Sequence, residues 1–483
     1  LAAQLALIVN AHGALGDLPE SCVIRLPDLF VDDALGEALE RLHDEPPLRA
    51  QLSTAAHDRL LELHDPARVA ARHTEAIEDF HRKAMARDPS LRPAPRQLLL
   101  DVTALVIQDL RSGVQRVVRS VLNGVVGRVF EGLRVEPVYL DRGCYWYARQ
   151  FTSTLFGLGP SPCPDEPVSV RAGDTFLGLD LVTHGVHLHQ AVFEAWRAQG
   201  VTVQFVVYDL LPVQHPEWFP AEDGGHFREW LRTVFQVADS LVCISAATAD
   251  AVREWLPTLA GARAVQPVVR WFHLGADLPA SLPSAGLTPA EQAWLERPMP
   301  ERALLTVGTV EPRKGIATAL AALEQLWARG DDVHWWIVGR AGWMVEALVE
   351  RLRAHPEAGR RLHWFESASD ELLQRLYRGA SVLLMASEGE GFGLPLIEAA
   401  QYRLPLLVRD LPVFREVAGT HAAYFSGDHD TLAQAISEWF RQRRHGRVPD
   451  SAELPWLDWS QSCAQLLGVV LEGVDVEQQG APE

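Results

Sequence analysis

The chain has 483 residues, 48% hydrophobic and 22% charged, with a formal net charge of -19; that is enough to bury a large core in roughly two to four domains. The acidic balance argues against nucleic acid as the main partner and against a broadly basic membrane face, and no apolar run reaches the roughly 18 residues that a bilayer span needs. The cysteines, Cys22, Cys144, Cys163, Cys243 and Cys463, are scattered without a C-x-x-C pair, which argues against a zinc site or disulfide framework and fits a reducing cytoplasm.

The sequence opens at Leu1 with no secretory pattern, and residues 1–85 read as a piece of something longer. Ala6–Val9 and Val23–Leu26 are strand candidates, and Asp32–His43 and Pro66–Arg82 carry helical apolar spacing. The same order recurs near the other end: strand Leu404–Val408, turn and short helix Leu411–Gly419, strand Ala422–Phe425, helix Asp430–Phe440. Residues 1–85 are therefore expected to be the distal part of a domain homologous to 300–440; an unrelated helical extension is the other reading.

Residues 86–96 hold three prolines and read as a linker. From 97 to 278 strand and helix candidates alternate: Gln97–Val102, helix Val114–Val126, Arg134–Leu140, Thr175–Leu181, helix Gln190–Ala198, Thr202–Tyr208, helix His226–Ala238, Ser240–Ile244, helix Ala246–Leu256 and Val265–His273. Such alternation builds a parallel sheet covered on both faces. The proline-rich stretch 279–300 is an expected hinge. The alternation then repeats from 301 to 445, and residues 446–483 supply a closing helix and a tail expected to fray beyond Val474. The fold class is α/β, with two doubly wound, Rossmann-like domains and an N-terminal partial α/β segment.

Ligands of such sheets sit at the carboxyl ends of the strands, and four features of 301–445 fall there. Gly308 and Thr309 open a loop carrying Arg313 and Lys314, two fixed cations before a helix, suited to phosphate. Gly339 ends a strand in a tight turn that lets a ligand approach. The loop Glu366–Asp370 precedes a helix and either faces a base or only caps. Last comes Ser387–Glu398, where Glu390 and Glu398 flank Gly391, Phe392, Gly393 and Leu394, with Pro395 placed as the first helical residue. A glycine turn presents free N–H groups to an anion, and the carboxylates on either side are acceptors suited to hydroxyl groups.

Together, Val307–Gly315, Val338-Gly339 and Glu390–Glu398 resemble the nucleotide-sugar domain of the retaining family 4 glycosyltransferases. Ser112–Arg119 resembles the loop and helix under the sugar and acceptor in that family. Val207–Glu217 resembles a signature of bacterial O-antigen mannosyl- and rhamnosyltransferases. The resemblance implies a GT-B fold, two domains facing across a cleft, and a metal-independent hexosyl transfer with no cofactor. The donor would be GDP-mannose or dTDP-rhamnose, and the acceptor a growing, lipid-linked surface polysaccharide or O-antigen. It further implies that Arg313 and Lys314 hold the diphosphate with the N–H groups of Phe392, Gly393 and Leu394, that Glu398 takes the ribose, that Glu390 takes the transferred sugar, and that Gly113 lets the first-domain loop approach the diphosphate.

Many relatives place a histidine where this chain has Tyr208, next to Asp209. Asp209 either orients its loop or the acceptor hydroxyl, and His215 either faces the acceptor or packs the domain edge. Arg441, Arg443, Arg444 and Arg447 either touch anionic lipid, as a peripheral protein of the inner membrane or an assembly complex would, or form a solvated helix end. Among 15 tryptophans, Trp343 is the best candidate for a sugar platform, the rest being expected in the core. Two other functions stand beside transfer: a GT-B sugar-nucleotide epimerase and a catalytically silent partner in glycan assembly.

Overall fold

The computed structural model describes residues 4–11, 18–27, 30–87, 95–109, 112–184, 186–259, 265–276 and 286–471. Residues 88–94 of the expected linker, 279–285 of the expected hinge and the tail from 472 lie outside the described residues. Two compact units, Leu1–Ala94 and Pro95–Glu483, divide the chain. No helix among the described residues is long and apolar enough to cross a membrane.

In the first unit β1 (Ile8–Asn10) and β2 (Ile24–Leu26) pair in parallel, Ile8 opposite Ile24. Three helices follow, α1 (Asp32–Asp44), α2 (Pro46–His64) and α3 (Pro66–Arg87). Pro46 and Pro66 open α2 and α3 where a missing N–H costs nothing. The core is small: Cys22, Val23 and Ala56, with Leu7, Val9, Leu18 and Ala55 against it. The middle helix, α2, escaped the sequence reading because its apolar residues are spread around it rather than gathered on one face.

The second unit begins with a seven-stranded sheet: β3 (Arg96–Asp101), β4 (Leu133–Asp141), β5 (Cys144–Tyr147), β6 (Thr175–Gly178), β7 (Thr202–Val207), β8 (Ser240–Cys243) and β9 (Val268–Trp271), in the order β5-β4-β3-β6-β7-β8-β9. All neighbours are parallel except β4 and β5. That hairpin turns on Arg142 and Gly143, both at positive φ (46° and 88°), the two-residue turn whose twist matches the strands. Its helices are α4 (Thr103–Ile107), α5 (Gly113–Val125), α6 (Arg149–Leu155), α7 (Gln190–Ala198), α8 (Leu211–Gln214), α9 (Ala221–Val237) and α10 (Ala246–Leu259).

A six-stranded, all-parallel sheet follows: β10 (Ala303–Val307), β11 (His334–Val338), β12 (Leu362–Phe365), β13 (Val382–Met385), β14 (Leu406–Arg409) and β15 (Ala422–Phe425), in the order β12-β11-β10-β13-β14-β15. Helices α11 (Pro289–Leu295), α12 (Ile316–Ala328), α13 (Glu346–Arg353), α14 (Asp370–Gly379), α15 (Leu394–Gln401), α16 (Pro412–Ala418) and α17 (His429–Arg444) accompany it. Both faces are covered, so β13 reads Val-Leu-Leu-Met and is wholly buried. Chain order reverses between β10 and β13, and between β3 and β6 in the other sheet. Open crevices at strand carboxyl ends belong at such reversals.

The last helix, α18 (Trp459–Val470), returns to the first sheet's domain. Gln204 Nε2 donates to Val470 O at 2.8 Å, and Ser462 Oγ to His273 O at 2.7 Å. A Cβ on Gly124 of α5 would meet Cys463 Sγ, so only glycine lets α18 lie this close. One apolar cluster runs unbroken from α5 (Val117, Leu122) through α15 (Leu396, Ile397) to α18 (Leu466, Leu467), tying the two sheets' domains together.

Candidate active site

The loops after β10 and β13 lie side by side. Pro312–Lys314 form a single 3-10 turn, and Gly315 follows at φ 65°. A Cβ on Gly315 would sit 2.2 Å from Ala386 O, so glycine is required by both backbone angle and space. Glu388 N donates to Arg313 O at 2.7 Å and locks the loops together. Gly339 closes the site from the β11 side: at φ 146° it leaves only 2.1 Å between a would-be Cβ and Gly308 O. Thr309 N lies beside it, 3.1 Å from the same point. The helix α15 starts at Leu394, one residue before the expected Pro395, with Gly393 at φ 95° as its cap.

Glu390 is the hub. Its carboxylate takes Lys314 Nζ at 2.6 Å, Arg313 Nη1 at 2.9 Å and Ser387 Oγ at 2.8 Å. Burial pushes this carboxyl up, but Lys314 and Arg313 outweigh it and hold it at about 2. Arg313 is gripped from the other side by Glu311 at 2.8 Å. Burial pushes Glu311 up from the usual carboxylate range, with Arg313 and Lys314 opposing. Arg313 itself is pushed above its ordinary value: burial works against this, but Glu390, Glu311 and Asp209 prevail. Removing one partner from such a buried group costs about 3–5 kcal/mol, because it strands charge rather than merely losing a bond.

Glu398, on α15, is 1% exposed. Tyr377 Oη donates to it at 2.7 Å, and Arg116 of α5 forms an ion pair with its other oxygen. Gly113, the first residue of α5, lies one turn from Arg116. It is exposed, with open space where a Cβ would be. Ser112 caps this helix by accepting from Gln115 N at 3.2 Å. The N-terminal turn of α5 thus faces α15 across the domain boundary.

The first sheet's domain meets the glycine loop at the end of β7. A Cβ on Gly391 would lie 2.1 Å from Tyr208 O and 3.3 Å from Asp209 Cβ, so the two backbones touch. Ser245 Oγ and Thr248 Oγ1 both donate to Gly391 O, at 2.8 and 3.1 Å. Glu416 of α16 accepts from Ala246 N and Ala247 N at 2.7 Å each and pairs with His273 at 2.6 Å, holding the first turn of α10. Asp209 accepts from Leu211 N at 3.0 Å. Burial raises its carboxyl, which sits in the field of Arg313, Glu390 and Lys314. Asp209 and Glu390 line one small cavity of about 170 Å3. Tyr208 turns away from it and donates to Leu179 O at 2.8 Å.

The structure therefore brings Glu390, Arg313, Lys314, Asp209, Gly391, Phe392 and Gly393 together, with Gly308, Thr309 and Gly339 behind the cations and Leu394 opening α15. His215 stands in a neighbouring groove of about 530 Å3 shared with Trp218, Glu388, Arg409, Asp428 and His429. It stacks on Trp218 at 4.0 Å and meets Glu217 at 3.1 Å. The structure bears on three further readings. Trp343 is no open platform, since its Nε1 donates to Trp218 O at 2.8 Å and its ring stacks on Phe219. Glu366 is spent on a forked bond from Arg353. Arg441 pairs with Glu438, and Arg443 donates to Ser381 O and lies over Trp439, so half of the basic cluster is engaged.

The sequence reading missed Glu311, Ser387, Arg116, Tyr377 and the Ser245–Thr248 pair as parts of the site. Glu311 and Arg116 stand inside the quoted motifs, and their charge was the available signal. Tyr377 and Ser245 carry none.

Residues 289–451 match the family described as Glycosyl transferases group 1. The chain is 41% identical over 391 residues to the serotype-specific mannosyltransferase WbdA of Escherichia coli, covering 80% of this chain and 47% of that protein. It is 29% identical over 143 residues to the O-antigen chain mannosyltransferase RfbU of Salmonella typhimurium, covering 29% and 39%. The chain thus spans about half the length of the WbdA proteins it matches. In fold it is similar to HepE of Anabaena, solved with UDP and glucose: TM-score 0.52 at 14% identity, covering 77% of this chain and 98% of that one.

Proposed function

The chain carries a glycosyltransferase group 1 domain on a GT-B fold, and we propose that the protein moves mannose from GDP-mannose to a growing, lipid-linked O-antigen or surface polysaccharide. The observation that carries this is Glu390 held between Arg313 and Lys314 at the crevice where β10 and β13 diverge. Mannose is preferred over rhamnose because the similar proteins are named mannosyltransferases.

The donor's diphosphate would lie against Arg313, Lys314 and the first N–H groups of α15, groups fixed before the reaction where negative charge grows on the leaving oxygen. Glu390 would exchange part of its ion pairing for hydroxyls of the transferred sugar. Glu398 would exchange Arg116 for the ribose. In a retaining transfer the C1–O bond to the diphosphate breaks, the acceptor oxygen bonds C1 on the same face, and the acceptor proton passes to the departing phosphate oxygen. Two fixed cations supply the neutralisation that a metal supplies elsewhere. Asp209, beside Glu390, orients the acceptor hydroxyl, and the His215–Trp218 groove receives the glycan.

A lipid-linked acceptor would bring the protein to the cytoplasmic face of the inner membrane, where the engaged Arg441 and Arg443 contribute little. We also propose that residues 1–85 are related to the distal part of 300–440: β1, β2 and α1 follow the order of β14, β15 and α17, and two further helices, α2 and α3, follow α1. Incubation with GDP-mannose, dTDP-rhamnose and UDP-sugars tests the assignment. Release of GDP from GDP-mannose only with acceptor present is expected. Sugar inversion without acceptor would indicate an epimerase, and silence with every donor an inactive partner; neither reading is favoured by the similar proteins.

A further inference from the structure

The sequence shows no metal motif, yet folding brings three donor side chains together away from the Glu390 crevice. His184 lies in the loop after β6. Asp223 and His226 stand three apart on α9 and so share a face. One ligand atom from each lies within 4.8 Å of the others. The two imidazole rings are 4.2 Å apart. Among the described residues Nδ1 of His226 is buried without a hydrogen-bond partner, so an ion bound at that nitrogen would displace no hydrogen bond described there.

Two imidazoles and a carboxylate are a donor set for a borderline divalent ion, zinc above all, with remaining positions left to water. Calcium and magnesium would want more oxygen. We propose that His184, Asp223 and His226 bind one divalent transition-metal ion of the zinc class, at a site sharing no residue with the crevice around Glu390. The position gives the ion a structural task. The helix α9 packs on α8 and on Pro216–Trp218, the segment that carries the His215–Trp218 groove. An ion there ties the loop after β6 to the helix that backs this groove.

The test is zinc titration of the full chain, without an affinity tag, by equilibrium dialysis and calorimetry. One zinc per chain is expected with a micromolar or tighter Kd. His184→Ala and His226→Ala should each remove that equivalent, and Asp223→Asn should weaken it at least tenfold. His184 and Asp223 are exposed, so these two variants keep the fold, which circular dichroism checks. Cobalt should give visible d–d bands in the wild type that vanish in His226→Ala. No bound zinc at tens of micromolar, or the same stoichiometry in His184→Ala and His226→Ala, would overturn the proposal.

Discussion

The two surfaces that meet at the cleft are built on different principles. Around β10 and β13, position is fixed by backbone: Gly308, Gly315, Gly339 and Gly393 occupy angles or spaces closed to other residues, and the charges are buried and paired. Around the end of β7, position is fixed by side chains that lean on partners. Asp209 accepts one amide, Tyr208 reaches a carbonyl, and His215 rests on Trp218 in the open. On the proposed function, this first surface is the one that holds the diphosphate. On the same reading the second surface receives the acceptor. The difference teaches where substitution should abolish chemistry and where it should only retune it.

The largest effect is expected at Glu390. Glu390→Ala should abolish transfer while circular dichroism shows a retained fold; unchanged turnover would remove the central assignment. Next, Arg313→Ala should lower kcat by about 10²–10³-fold, the loss seen when one fixed donor to a developing oxyanion is removed, and should raise donor KM as well. Third, Glu398→Gln should raise donor KM by about 10–100-fold with kcat near normal, since a charge-assisted hydrogen bond is worth about 1.5–3 kcal/mol; a fall in kcat alone would contradict a ribose role. On the other surface, Trp218→Ala should raise acceptor KM about three- to tenfold, the worth of one aromatic contact of about 0.5–1.5 kcal/mol. Donor KM should not move, and an equal change in both would erase the contrast between the surfaces.

Two buried carboxylates, Asp101 at the end of β3 and Glu390, respond to pH in opposite senses. Burial pushes the Asp101 carboxyl, bonded to Thr103 and Tyr145, up to about 7. A raised acid stabilises below its unfolded value near 4, and that contribution fades as pH rises through 7, at up to about 1.4 kcal/mol per unit. Asp101→Asn should therefore compare more favourably with the wild type at pH 8 than at pH 5 in urea unfolding. Glu390 has the opposite sign. Held at about 2, it supports the fold above its unfolded value near 4.5 and loses that support only as pH falls toward 2.

This asymmetry also explains what could be read from the chain. Glycines at forced angles, a cation pair and two carboxylates around a turn are local, so Gly308–Gly315 and Glu390–Glu398 announced themselves. The alternating apolar runs gave both parallel sheets for the same reason. The partners that complete the site are distant in sequence: Arg116 reaches Glu398 across 282 positions and Ser245 reaches Gly391 across 146. Nothing near Tyr377 or Ser245 marks them, because their role exists only once two domains close. The expected strand Arg134–Leu140 stops short of the two-residue turn, so β5 beyond it went unread, and His184 and His226 were hidden by lying 42 positions apart.

The most direct test is the affinity of GDP alone, measured by calorimetry, for Glu390→Gln beside Arg313→Ala. If Arg313 and Lys314 hold the diphosphate and Glu390 serves the sugar, Glu390→Gln binds GDP at least as tightly as the wild type, because its carboxylate no longer competes for the two cations, while Arg313→Ala loses tenfold or more. Equal losses in both variants, or none in Arg313→Ala, would contradict the account.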